Sequence, residues 1–176
     1  MPSYIALLRG INVSGKNKLP MATLKSLCED LGYTQVTTYI QSGNVILRAE
    51  DTPEEIAKKL FQAIQTQFDY TVPVLVREAA FFRQLIAQNP FQDYDSETLH
   101  VTLLDGKGHG AKLADLSSTI GGKDRFIVQN DVVYVHCPNG YGRTILNNSF
   151  FEAKAGTSAT TRNWRTVCKL VELTAT

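Results

Sequence analysis

The chain has 176 residues, 43% of them hydrophobic and 20% charged, with a formal net charge of +1. That balance fits a globular protein with one ordinary core or two small ones, and it excludes the wholesale basicity of a duplex-DNA binder. No apolar run approaches the roughly 20 residues of a spanning helix, and the start Met1-Pro2-Ser3 shows no secretory signal. The lack of a spanning run predicts no membrane partner, and Cys28, Cys137 and Cys168, with no regular spacing, predict a cytoplasmic location with reduced thiols.

Residues 4–9 form a short apolar run with the length of a buried strand. A loop of cations, amides and glycines follows, Arg9-Gly-Ile-Asn-Val-Ser-Gly-Lys-Asn-Lys18, and a helix opens at Pro20. Met21, Leu24, Leu27, Cys28 and Leu31 give that helix one apolar stripe, and Gly32 stops it. Residues 36–40 and 45–48 predict two strands joined by the turn Gln41-Ser-Gly-Asn44. Thr52-Pro-Glu-Glu55 is a capping box with proline at the first helical position, ahead of a helix carrying Ile56, Leu60, Phe61, Ile64 and Phe68. A strand from Pro73 to Arg77 completes β-α-β-β-α-β, the split βαβ or ferredoxin-like pattern.

A connecting helix with Ala79, Phe82, Leu85 and Ile86 inward ends at Asn89-Pro90. The pattern then repeats in outline: a strand Leu99–Leu104, a helix over 110–120 with Leu113, Leu116 and Ile120, and a hairpin of 125–129 with 132–136 around Asn130-Asp131. A helix from Thr144 to Ala155, a short closing strand Ser158–Thr161, and a last helix capped by Asn163 follow, the last bearing Trp164, Val167, Cys168 and Val171. The expected fold is α+β, two tandem ferredoxin-like halves with mainly antiparallel sheets, residues 1–77 and 99–176 joined by 78–98. The two halves show no visible sequence alignment.

Charge is uneven along this frame. Residues 1–28 hold Arg9, Lys16, Lys18 and Lys25 and no acid, and residues 132–176 hold Arg143, Lys154, Arg162, Arg165 and Lys169 against Glu152 and Glu172. In the split βαβ sheet the first and third strands are antiparallel neighbours, which puts the Arg9–Lys18 loop beside the Gln41–Asn44 turn. Helix N-termini favour acids, and a base there costs about 0.3–1 kcal/mol. Three openings break that rule in one direction: Lys16 and Lys18 before Pro20, Arg143 before the 144–155 helix, and Arg162 with Arg165 around Asn163-Trp164. A phosphate or carboxylate ligand would turn each unfavourable charge into a favourable one.

The runs Tyr4–Val13, Gly15–Met21 and Thr38–Val45, with Asn89-Pro-Phe91, His136–Arg143 and Thr160–Val167, resemble a family of small bacterial proteins catalogued as domain of unknown function 1697. The resemblance spans essentially the whole chain and implies a two-part α+β fold of ferredoxin-like character, with no activity attached. Its shared polar positions fall here on Arg9, Asn12, Gly15, Lys16, Asn17, Lys18, Gln41, Ser42, Gly43, Asn44, Arg162, Asn163 and Trp164. Ser14 stands where the family commonly has a second glycine, and Thr144-Ile145 where it often has Ser-Lys.

Other chemistries have little support. His100, His109 and His136 lack metal-pair spacing, although antiparallel pairing could bring His100 and His136 together; no metal and no cofactor is expected. Cys28 and Cys168 sit on apolar stripes. Cys137 adjoins His136, but strand neighbours point to opposite faces, so adjacency makes no dyad. Glu50, Asp51, Glu54 and Glu55 are explained by capping. Tyr134, His136 and Phe126 offer a partial stacking face for RNA. Trp164 suits a core anchor, with a ring-stacking platform beside two cations as the alternative.

The sequence thus points to a binding protein for a small anionic ligand, phosphorylated or nucleotide-like. Arg9, Lys16 and Lys18 would supply charge, Asn12, Gln41, Ser42 and Asn44 would orient the ligand, and Arg162, Asn163, Trp164 and Arg165 would contribute from the second half. A single-stranded nucleic-acid binder using the same cations ranks behind it, then an enzyme of unnamed reaction. Nothing in the sequence argues for a homodimer.

Overall fold

In the computed structural model, which describes residues 1–116 and 122–175, β1 (Ser3–Leu8) is apolar from Tyr4 onward and buried on both faces. α1 (Met21–Asp30) turns Leu24, Leu27 and Cys28 inward. β2 (Thr34–Thr38) and β3 (Asn44–Arg48) form a hairpin. α2 (Pro53–Phe68) opens on the capping box that Thr52 and Glu55 make, and β4 (Val74–Glu78) closes the sheet in the order β2-β3-β1-β4, with every pair antiparallel. This is the order that the β-α-β-β-α-β pattern requires. One face of the sheet packs Tyr4, Ala6, Leu8, Val45, Leu47 and Val76 against Leu24, Leu27, Ile56, Leu60 and Ile64. Burying each such leucine or isoleucine stabilises by about 1.5–3 kcal/mol.

After α3 (Ala79–Ala87), β5 (Leu99–Leu104), β6 (Arg125–Gln129), β7 (Val132–His136), α4 (Asn148–Ala155) and β8 (Ala159–Asn163) build a second antiparallel sheet, ordered β6-β7-β5-β8. α5 (Trp164–Thr174) follows directly, capped as expected by Asn163 Oδ1, which accepts from Thr166 N at 2.8 Å. Contacts divide the chain into two units, Met1–Arg83 with the chain from Leu170, and Gln84–Lys169. The sequence boundaries at 77 and 98 bracket α3, whereas the contact division falls inside it.

The two sheets share one register. Leu8 N donates to Gly43 O at 2.8 Å and Leu104 N to Asp131 O at 3.0 Å. Arg9 N donates to Pro73 O at 3.1 Å and Asp105 N to Ser158 O at 2.9 Å. Ala6 faces Val45 and Val76 as Thr102 faces Val133 and Thr161. Arg77 and Arg162, at matching positions, each donate through Nη1 to the carbonyl of the preceding residue, at 2.8 and 3.0 Å. An internal correspondence that the side chains conceal is therefore written in the backbone.

Three expectations need correction, and one open possibility, the approach of two histidines, is closed. The helix over 110–120 is instead a 3-10 turn at Gly110–Leu113, and Ile120 lies outside the described residues. The chain there is tied by the Asp131 carboxylate, which accepts from Gly108 N at 3.0 Å and Gly110 N at 2.8 Å. A Cβ on Gly110 would sit 1.6 Å from Asn130 O, so only glycine allows that approach. The 144–155 helix begins at Asn148, because Thr144 Oγ1 takes Leu146 N at 3.0 Å and Asn147 Oδ1 caps Phe150 N at 3.0 Å. The strand over 36–40 ends at Thr38, since Ile40 adopts φ +49°, outside the β region. His100 pairs with Val135 and His136 with Leu99, so the two imidazoles point to opposite faces and make no metal pair.

Candidate functional site

The antiparallel pairing of β1 with β3 and β4 brings three connections to one end of the first sheet: residues 9–19, 39–43 and 69–73. Asn12 knots two of them. Its Nδ2 donates to Leu19 O and Gln41 O, both at 2.8 Å, while its Oδ1 accepts from Leu19 N at 2.8 Å. Asn17 Nδ2 donates to Gly10 O at 3.0 Å, and Tyr70 Oη, from the third connection, donates to Lys18 O at 2.9 Å. The fully buried Asn44 donates to Tyr39 O at 2.9 Å and Ser42 Oγ at 3.0 Å. Gly43 carries φ +93°, and a Cβ there would meet Ile11 and Leu8 at 2.8 Å, so the turn packs directly on the loop.

The predicted residues thus separate into builders and presenters. Asn12 and Asn44, expected to orient a ligand, direct their amides at the backbone of the loop itself. Lys16, Lys18 and Gln41 are exposed, and Arg9 and Ser42 partly so. Lys16 and Lys18 have no acid within ion-pair distance among the described residues. Positive φ recurs at Gly10, Asn12, Ser14, Gly15 and Asn17, with Ser14 and Gly15 adjacent in the turn that the Val13–Lys16 bridge closes. Where a left-handed residue adjoins a right-handed one, successive N–H groups turn toward one concavity, as in an anion nest. Two of those donors close the loop internally, Asn12 N on Asn17 O at 3.2 Å and Lys16 N on Val13 O at 2.9 Å. α1 begins beside this loop with Pro20 as its N-cap, no side-chain cap and no acid in its first turn.

The other two basic helix openings are arranged differently from the first. Arg143 lies in the 3-10 turn Tyr141–Arg143, upstream of the true cap at Asn147. Arg165 is balanced by Glu97, at 2.6 Å. Arg162 is partly buried, and burial pushes its guanidinium down to about 10, which still leaves it charged at neutral pH. Trp164 is partly buried at the start of α5 and Asn163 is occupied by its capping bond. These four residues belong to the second unit.

The remaining chemistries resolve into structure. Phe126 pairs with Val135 and packs on Phe151, whereas Tyr134, which donates to Leu85 O at 2.7 Å, and His136 point to the other face. The stacking face expected of these three rings is therefore not assembled. Burial lowers the pKa of His100 and His136, and for His136 the Arg125 charge adds to the effect while Asp124 opposes it. Burial raises the thiols of Cys28, to about 12, and Cys137, so neither is a ready nucleophile. Among the described residues no group of three His, Cys, Asp or Glu side chains could hold a metal ion. A cavity of about 300 Å³ in the first unit is lined by Ser3, Glu78, Arg83 and Thr174 among others, and by none of the predicted residues.

Sequence reasoning missed Asp131, whose carboxylate closes the second unit's first loop, and Ile40, a β-branched residue held in the left-handed region. The Asn-Asp turn hinted at the first, because Asp readily accepts from nearby backbone N–H groups. No local signal marks the second.

A model of the family described as protein of unknown function DUF1697 matches residues 1–134. No curated protein matches the chain. The fold is similar to that of a solved structure, the conserved bacterial protein SP0830 from Streptococcus pneumoniae, with a TM-score of 0.77 over 98% of each chain and 22% identity. At that identity the likeness concerns the fold alone.

Proposed function

The chain belongs to the DUF1697 family, and since that family is described only as of unknown function, we propose from the geometry that residues 9–18 and 41–43 bind a small anionic ligand, phosphorylated or nucleotide-like. Arg9, Lys16 and Lys18 supply the charge, the backbone of the loop and the start of α1 supply donors, and Gln41 with Ser42 forms the facing wall. Asn12 and Asn44 act one step back, as the bonds that hold loop and turn together.

One observation carries this reading. At the matching place in the second unit, the loop after the first strand closes on a carboxylate from its own hairpin, Asp131. In the first unit the corresponding residue is Gly43, and the three connections at that end carry Arg9, Lys16 and Lys18 against the single acid Asp69. Where one half offers a carboxylate to its own loop amides, the other has glycine and gathers three cations around one acid.

A melting screen over nucleotides, phosphosugars and short RNA tests it. A ligand at one hundred times its dissociation constant should stabilise the protein by about 2.7 kcal/mol. The double variant Lys16→Ala/Lys18→Ala should lose that shift while its ligand-free melting temperature stays within a degree or two. No shift across the phosphorylated set, or a shift indifferent to both lysines, refutes the proposal. Strongly salt-dependent RNA binding without any mononucleotide effect would favour the single-stranded nucleic-acid reading instead.

A further inference from the structure

Two aliphatic side chains stand out of this same sheet end. Val13 is 56% exposed in the first loop and Ile40 is 45% exposed in the 39–43 turn, and the Asn12 to Gln41 hydrogen bond joins the residues beside them. Single exposed aliphatics are ordinary on protein surfaces, but Ile40 is also at φ +49°, a conformation that a β-branched side chain disfavours. The turn gains nothing from isoleucine there, because it is closed by Tyr39 and Asn44: Tyr39 N donates to Asn44 O at 3.0 Å, and Asn44 Nδ2 donates to Tyr39 O. Glycine or asparagine would take the same conformation with less strain. A strained, exposed, apolar residue on a rigid turn is the kind of outlier from which a functional role can be inferred.

We propose that this end of the first unit docks on an anionic lipid surface, with Ile40 and Val13 entering between headgroups and Lys16 and Lys18 meeting lipid phosphates. The inference rests on the anion-binding reading of the same loops and names the source of the phosphate as a headgroup. A free, wholly polar phosphate compound has no use for two protruding aliphatics. Single-stranded nucleic acid stacks on aromatic rings rather than on isoleucine and valine. The partly buried Tyr39, next to Ile40, is a residue type favoured at the level of headgroups. The expectation of no membrane partner came from the lack of a spanning segment. A surface contact needs none, and among the described residues no helix is long and apolar enough to cross a membrane. Asp69, at the same end, opposes the attraction and keeps the contact weak and salt-sensitive.

Flotation of the whole chain with vesicles of phosphatidylcholine, with and without phosphatidylglycerol, tests the inference. Binding should require phosphatidylglycerol, and should fall about fivefold for each lysine removed in Lys16→Ala and Lys18→Ala. Ile40→Asn and Val13→Ser should each lower it about fivefold to tenfold, with Ile40→Asn melting at or above the parent, so that lost binding is not lost folding. Binding indifferent to phosphatidylglycerol, to Ile40→Asn or to the lysines overturns the proposal. Glycerol 3-phosphate in a parallel melting assay separates the two readings. A shift with no vesicle binding ends the lipid docking and leaves the anion site, whereas neither response ends both. Retention on poly-glutamate without vesicle binding would assign the surface to an acidic protein partner and overturn the lipid.

Discussion

At corresponding sheet ends the two halves close their first loops by different chemistry. The second half uses a carboxylate: Asp131 takes the amides of Gly108 and Gly110 and ties the chain into a 3-10 turn. The first half uses an amide and an aliphatic. Asn12 bridges loop and turn, Ile11 packs over Gly43, and a regular helix, α1, follows. A carboxylate closes a loop and adds its own negative charge there. An amide closes it without adding charge, and Lys16 and Lys18 stay exposed with no acid within ion-pair distance among the described residues. The difference shows how one backbone register can host a sealed turn in one place and a receptive rim in another.

Breaking the comparison at the cores has the largest effect. Among the described residues the second half packs Phe126 edge-on against Phe151, 5.5 Å between ring centroids, where the first half has aliphatics from α1 and α2. Phe151→Ala should lower stability by about 3–5 kcal/mol in denaturant unfolding. Asn12→Ala removes both donors and the acceptor that join loop to turn, and places alanine at φ +54°. A loss of about 2–3 kcal/mol is expected, with weaker ligand binding as a consequence. Asp131→Ala strands two amides in the second half and should cost about 1–3 kcal/mol without touching the first half's ligand response. Ile40→Asn should go the other way, raising stability by about 1 kcal/mol as left-handed strain is relieved.

The smallest effect is a pH dependence from the second half. His100 and His136 have pKa values held below the ordinary 6.5 by burial. As pH falls through 6.5 the unfolded chain takes up protons that the folded imidazoles refuse, so this contribution to stability is full above 6.5 and erodes below it. The erosion stops once pH passes the lower folded values. Melting curves between pH 7.5 and 5 check the slope, which should flatten in His100→Gln.

Local rules made much of this legible. The Thr52–Glu55 capping box, the Asn163 cap and the strand order follow from residues within a few positions of each other or from one simple pattern. The gathering of the Arg9–Lys18 loop and the Gln41–Asn44 turn followed from antiparallel pairing. What stayed hidden depended on direction rather than identity. An asparagine in a polar loop has the same letter whether its amide faces a ligand or, as at Asn12 and Asn44, the backbone. Likewise Arg165 looked like an unbalanced cation until Glu97, distant in sequence, came within 2.6 Å. The 110–120 segment had helical spacing of leucines, but Asp131 and the close contact at Gly110 fixed a turn that spacing could not foresee.

The central claim is that the first half's rim, with Gly43 where the second half has Asp131, leaves its loop amides open to an external anion. Backbone amide NMR during titration with inorganic phosphate tests it most directly. Saturable shifts at residues 10–18 and 40–43, with residues 105–110 unmoved because Asp131 already holds them, are predicted. Equal shifts at both loops, or none at 10–18, would contradict it.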